Sequence, residues 1–303
     1  MHTAAPIVCF GEMLWDVLPT GKQPGGTPFK VAVHLQQLGQ EVRLISRVGD
    51  DELGQELLAY SAAQGLDCSL VQQSETHLTG VVKATIRAGQ AVTHTILNPV
   101  AWDYIRHTDA LRAIVSGAAM LVYGSLATRS ALSRETLYRL LQVASFKVFD
   151  VNLRAPHYTW AGVKYLLRQA DLVKLTQPEL TEMMRWLGQP ADEETALPWL
   201  AQQFSLQAVC LTKNRHGAAL WTGNQLFTHP GFAVAGPGTS ESAAAFLAAL
   251  LAGWQARQPP ADSLRRACAA GALAATPQPA QPDLSALLTY RAPFICYTPS
   301  PGR

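Results

Sequence analysis

Short apolar runs recur along this chain, each followed by a stretch with helical spacing, and that rhythm restricts the fold more than any other feature. Ile7-Val-Cys-Phe10 ends at Gly11. Val42-Arg-Leu-Ile-Ser46, Ala119-Met-Leu-Val-Tyr123, Lys147-Val-Phe-Asp150, Leu172-Val-Lys-Leu175 and Ala208-Val-Cys-Leu211 are of the same kind. Val31, Leu35 and Leu38 mark a helix stopped by Gly39, and Glu52 to Ala63 reads as a second helix that ends near Gly65. Repeated strand–helix units predict an α/β fold with a mainly parallel sheet covered by helices.

One segment breaks the rhythm. Gly80 to Leu97 alternates around Ala88-Gly89-Gln90, with Val82, Ala84, Ile86, Val92 and Ile96 on one face and Lys83, Thr85, Arg87, Thr93 and Thr95 on the other. His94 is the polar exception on the apolar face. This pattern predicts a β-hairpin, placed in a small sheet outside the main body. Gly21 to Pro28 is rich in Gly and Pro and predicts a loop.

At 303 residues the chain can bury a large core. A net charge of +2 and no dense Lys/Arg patch give no electrostatic case for nucleic acid or an anionic membrane. The apolar stretch Ala243 to Trp254 is shorter than the ~20 residues of a membrane span. The N-terminus lacks the charged and apolar regions of a signal peptide, so the expectation is cytoplasmic. Cys9, Cys68, Cys210, Cys268 and Cys296 are scattered without a CxxC pair, which favours reduced thiols over a zinc site. His34, His157 and His216 show no ligand or triad spacing and are expected to fill surface or core positions.

Several motifs occur in a definite order: Phe10-Gly-Glu-Met-Leu-Trp-Asp16, Pro24-Gly-Gly-Thr-Pro-Phe-Lys30, Ser46-Arg-Val-Gly-Asp-Asp51, Thr79-Gly80, Pro99-Val-Ala-Trp-Asp103, Tyr123-Gly-Ser-Leu-Ala127 with Arg129, and Asp150-Val-Asn-Leu-Arg154. Together they resemble the bacterial fructokinases of the ribokinase-like (PfkB) sugar kinase family. The resemblance implies a ribokinase-like three-layer α/β sandwich spanning 1–303 as a single domain. It also implies a small β lid built from segments near 12–35 and 77–105. Lids of this family pair in dimers, so a homodimer through the lid is implied too. Asp50-Asp51 fits a structural turn of the family better than a metal pair.

The same resemblance assigns a sugar or sugar-phosphate site to Asp16, Gly25, Gly26, Lys30 and Arg154. An ionised carboxylate at Asp16 can accept two hydroxyl hydrogen bonds. Lys30 departs from the pattern, since the family usually has Asn there. A lysine only donates and carries charge, which favours an acidic or phosphorylated sugar unless the position has simply drifted. On the nucleotide side the resemblance assigns Glu179, Thr212 and Asn214. Thr176 replaces the Asn of the family's N-x-x-E motif, and Thr176-Gln-Pro-Glu179 also reads as a helix capping box. Asn214 stands where Gly is usual, and Asn tolerates positive φ.

The largest departure is Thr239-Ser-Glu-Ser-Ala-Ala-Ala-Phe246. It resembles the family's D-T-x-G-A-G-D-A-F signature, with Ala244 at the catalytic Asp position and Glu241 and Ala243 at the two glycines of the phosphate nest. A methyl group accepts no proton, and a carboxylate at Glu241 in that nest would repel phosphate. No catalytic residue and no metal ligand is therefore assigned. ATP and Mg²⁺ are expected from the family, but their site is degraded. Three functions stay open: a sugar-binding protein with lost or strongly reduced phosphoryl transfer, an active kinase using another base such as Glu241, and a structural partner binding neither ligand.

Overall fold

The computed structural model describes residues 5–18, 21–85, 93–233, 239–275 and 284. The first half contains β1 (Ile7–Phe10), β2 (Leu14–Leu18), β3 (Gly21–Gly25), α1 (Thr27–Gln37), β4 (Val42–Gly49), α2 (Glu52–Ala63), β5 (Val71–Ser74), β6 (Gly80–Thr85), β7 (Thr93–Ile96), α3 (Asp109–Ser116), β8 (Met120–Gly124) and α4 (Ala131–Leu141). The second contains β9 (Lys147–Asp150), α5 (Trp160–Gln169), β10 (Leu172–Thr176), α6 (Gln177–Leu187), α7 (Glu193–Phe204), β11 (Ala208–Thr212), β12 (Ala218–Thr222), β13 (Gln225–His229), α8 (Ser240–Gln255) and α9 (Pro260–Ala275).

Nine strands form one sheet in the order β13-β12-β11-β10-β9-β8-β1-β4-β5. It is parallel from β11 to β5, and β12 and β13 add antiparallel at one edge. Successive strand residues enter opposite faces. Ile7 and Cys9 join one apolar layer with α1, α8 and α9, while Val8 and Phe10 join another with α3 to α7. This two-sided burial explains why β1 and β8 read as continuous apolar runs rather than alternating ones. The result is a three-layer α/β/α sandwich.

A second sheet, ordered β3-β2-β6-β7, forms the lid. The predicted hairpin is present as antiparallel β6 and β7, with Val82 opposite Ile96 and Ala84 opposite His94. Its turn lies outside the described residues. The expectation of a loop over Gly21 to Pro28 is corrected, since Gly21–Gly25 is strand β3, paired antiparallel with β2. An edge strand tolerates Pro24 because its outward side needs no donor. From Thr27 the chain leaves the lid as α1, with Pro28 in the first turn, and packs on β1, β4 and α8. The β12–β13 hairpin was not anticipated. Gly223 and Asn224 both adopt positive φ between these strands, the signal of a tight hairpin turn.

Asp51 is a structural residue. It caps α2 by accepting from Gly54 N (2.8 Å), and its two oxygens receive Thr79 N and Thr79 Oγ1 at 2.7 Å each. The bonds tie the start of α2 to the segment entering β6. Among the described residues Cys9, Cys68, Cys210 and Cys268 are free, and Cys296 lies outside them. No described helix is long and apolar enough to cross a membrane.

Candidate functional site

The junction of β3 and α1 brings the lid onto the main sheet. Gly26 is the N-cap of α1 at φ 101°, where its backbone lies against the Glu12 carbonyl and a Cβ would collide. A Cβ on Gly25 would stand 2.6 Å from Asp16 Oδ2. Both glycines are thus required by their packing against Glu12 and Asp16. Glu12 is buried, with Oε1 accepting from Thr27 N at 3.0 Å and Oε2 without a partner among the described residues. Burial pushes its pKa up to about 7, against the lowering effect of two backbone hydrogen bonds and the Arg154 charge. Asn152 Nδ2 donates to Thr27 Oγ1 at 3.0 Å, linking α1 to the end of β9.

Across from this junction, α1 and α8 share a charged cluster. Lys30 and His34 are four residues apart and face α8 together, while Glu241 and Ala244 are three apart and face α1. Glu241 Oε1 meets His34 Nε2 at 2.7 Å, and Oε2 meets Lys30 Nζ at 3.3 Å. Lys30 Nζ also donates to Ser240 Oγ at 3.1 Å and pairs with Asp16 Oδ2 at 3.5 Å. His34 Nδ1 lies 3.2 Å from Gln37 Oε1. His34 is fully buried and the Lys30 side chain is 5% exposed. Burial alone would raise the Glu241 pKa. The His34 hydrogen bond and the Lys30 charge outweigh it and hold the carboxyl below its ordinary range.

The Glu241 carboxylate is turned onto α1. Two carboxylates flank Lys30 and offset its charge. His34, expected merely to fill space, is a partner of Glu241.

The start of α8 is closed by its own side chains. Thr239 Oγ1 accepts from Ser242 N (3.1 Å), and Ser242 Oγ accepts from Thr239 N (2.9 Å). This reciprocal cap satisfies donors that would otherwise point outward. Ala244 is completely buried in the apolar layer between α8 and α1. Residues 234–238, which lead into the helix, lie outside the described residues.

Beside α8 lies a cavity of about 460 Å³, lined in part by Arg154, Lys174, Thr176, Glu179, Thr212 and Asn214. The four nucleotide-side positions singled out in the sequence thus gather at one cleft with Arg154, whereas Asp16, Gly25, Gly26 and Lys30 gather at the α1 junction. Glu179 is fully engaged. Oε2 accepts from Thr176 N (2.7 Å) and Thr176 Oγ1 (2.8 Å), and Oε1 accepts from Leu153 N (2.8 Å). The capping box read from the sequence is therefore present. Asn214 adopts φ 51°, as its position in a tight turn requires. Thr212 Oγ1 points back to Leu175 O at 3.4 Å.

The sequence reading passed over Lys174, on the cavity wall. It is buried and paired with buried Asp150 at 3.0 Å. Burial lowers the Lys174 pKa, but the Asp150 and Glu179 charges and the Asp150 hydrogen bond together more than offset that and raise it. A lysine inside an otherwise apolar strand was the available signal. Among the described residues no three His, Cys, Asp or Glu side chains converge as metal ligands. Glu179 is spent on the cap, Glu241 on α1 and Asp150 on Lys174, so none of these three is free to ligate a magnesium–phosphate group.

Comparison with known proteins places this geometry. The family described as pfkB family carbohydrate kinase matches residues 7–286. Fructokinase-1 of Oryza sativa subsp. japonica is 27% identical over 307 residues, covering 92% of this chain and 94% of that protein. The crystal structure of a Xylella fastidiosa fructokinase with bound ATP superposes with a TM-score of 0.79 at 24% identity, over 90% of this chain and 92% of that one. A double-mutant fructokinase of Vibrio cholerae O395, bound to fructose, ADP and potassium ion, gives 0.78 at 23% identity, over 94% and 96%. These two solved structures establish the shared fold.

Proposed function

The chain belongs to the pfkB family of carbohydrate kinases, and we propose that this fructokinase-like member binds sugar while its phosphoryl transfer from ATP is lost or strongly reduced. The observation that carries the proposal is Ala244. At the position that the sequence resemblance assigns to the family's acid/base, the helix carries a buried methyl group. Proton transfer by a positioned base contributes roughly 10²–10⁴-fold in enzymes, and this side chain can supply none of it. The cap formed by Thr239 and Ser242 supports the same reading. It uses the helix start for internal hydrogen bonds.

The sugar side is better kept. Asp16 is 24% exposed at the side chain and remains able to accept from ligand hydroxyls. Gly25 brings backbone close to it and Gly26 packs beside it on Glu12, while Arg154 stands exposed at the adjoining cleft. Fructose is the first ligand to test, because the relatives are fructokinases.

One observation favours a second reading, an active kinase with Glu241 as base. Its carboxylate touches Lys30, which in turn touches Asp16, so it lies toward the sugar side. Against it stands the depressed Glu241 pKa, which makes the carboxylate a weak proton acceptor. A coupled assay with purified protein, fructose, ATP and Mg²⁺ separates the readings. Turnover near the median enzyme value of roughly 10 s⁻¹ overturns the proposal. Calorimetric binding of sugar without turnover supports it. Binding of neither sugar nor ATP leaves the structural-partner reading.

A further inference from the structure

Lys30 and Glu241 come from opposite ends of the chain and meet beside Asp16. The three contacts of the Lys30 ammonium are unequal. Ser240 Oγ is at 3.1 Å, Glu241 Oε2 at 3.3 Å and Asp16 Oδ2 at 3.5 Å. The contact to Asp16 is the loosest, and the Asp16 side chain is 24% exposed whereas that of Lys30 is 5% exposed. Glu241 is fixed from behind by fully buried His34 at 2.7 Å. An ammonium anchored on one side and loosely paired on the other is set to exchange its loose contact for a ligand oxygen.

We propose that Glu241 is a positioning residue of the sugar site: with His34 it holds the Lys30 ammonium beside Asp16, so that one sugar hydroxyl accepts from Lys30 and donates to Asp16. The inference rests on the sugar-binding reading above. Lysine carries three donors and no acceptor, and an ionised carboxylate only accepts, so the pair matches the two faces of a hydroxyl. Glu241 has a second effect. Its charge offsets that of Lys30, so the site gives an anionic sugar little advantage over a neutral one. Removing that charge while keeping the side-chain shape releases the Lys30 charge toward the ligand.

The test is calorimetric titration of the full-length protein with fructose and with gluconate, a neutral and an anionic probe. Three forms are compared: wild type, Glu241→Gln and the double variant Lys30→Gln/Glu241→Gln. Glu241→Gln is expected to weaken fructose binding and strengthen gluconate binding, moving their affinity ratio by roughly tenfold, the scale of one charge-assisted hydrogen bond. In the double variant the gluconate advantage is expected to vanish, because Lys30 is its source. A purely packing role for Glu241 would weaken both probes together. Should Glu241→Gln fail to fold by circular dichroism, Glu241→Asp serves instead. It keeps the charge but shortens the reach to Lys30, so fructose binding weakens with no gain for gluconate. If wild type binds fructose and the variants leave the ratio unchanged, the positioning role is overturned and the sugar-binding reading stands. If wild type binds neither probe nor any other sugar, both are overturned.

Discussion

The Glu241 carboxylate and the Lys30 ammonium stand 3.3 Å apart, so two charged residues that look independent in the sequence are each other's partners. A carboxylate at the start of α8 is favourable to the helix dipole, and a buried ammonium on α1 requires a counter-charge. Each residue supplies what the other needs.

Ala244→Asp alone is expected not to restore phosphoryl transfer. The residue is fully buried in apolar surroundings on the helix face that also carries Glu241 one turn earlier. A new carboxylate there meets desolvation and a like charge, and stability should fall by about 2–4 kcal/mol. Denaturant unfolding measures the loss, and a coupled assay measures turnover. Efficient sugar phosphorylation gained by this single variant would overturn the expectation.

Lys30 and Glu241 should be energetically coupled. Glu241→Ala leaves a buried ammonium with only Asp16 as counter-charge, at 3.5 Å, and is expected to cost about 2–4 kcal/mol. Adding Lys30→Met should recover part of that loss, with a coupling of about 1–3 kcal/mol in a double-mutant cycle read by urea unfolding. Strict additivity would mean that the pair contributes nothing as a pair.

Glu12 sets a pH dependence whose sign follows from its burial. Its folded-state pKa of about 7 lies above the ordinary 4.5, so the folded protein binds the proton more tightly than the unfolded chain. The contribution to stability is fully present below pH 4.5. It falls as pH rises toward 7 and is lost above that, by about 3 kcal/mol in all. Glu12→Gln keeps an acceptor for Thr27 N and removes the titration. The stability difference between wild type and this variant should therefore change between pH 5 and pH 8. A constant difference across that range would place the Glu12 pKa elsewhere.

Arg129 joins the lid to the main body. Its Nε and Nη2 donate to the two Asp103 oxygens at 2.7 Å each, Nη2 also donates to Leu97 O at 2.7 Å, and the guanidinium stacks on Trp102 at 3.9 Å. Asp103 and Arg129 are almost completely buried, at 1% and 3% side-chain exposure. Arg129→Lys cannot reproduce the fork or the stacking, and a loss of about 1–3 kcal/mol is expected. Arg129→Ala also leaves Asp103 unpaired and should cost about 3–5 kcal/mol. Thermal melts followed by circular dichroism rank the two, and equal melting temperatures for wild type and both variants would refute the account.

Much of the fold is legible because its signals are local. Ile7–Phe10 and Lys147–Asp150 match the strands read from the sequence residue for residue; the first is an unbroken apolar run that ends at Gly11, and the second carries an apolar pair within the repeating strand–helix rhythm. Thr176 and Glu179, three apart beside a proline, announce the cap they form. Gly21–Gly25 was misread because edge-strand pairing depends on a partner, β2, and not on strand propensity.

The sequence by itself determined the layered α/β architecture, the lid hairpin, the capping box and the absence of a carboxylate at Ala244, because these depend on residue identity and on periods of two and 3.6 residues. Only the tertiary structure decided where Glu241 points and what neutralises Lys30. His34 and Glu241 are 207 residues apart in the chain, and no periodicity reaches that far. Their contact exists because α1 and α8 lie side by side on one face of the sheet, which is a consequence of strand order and helix packing rather than of any local pattern.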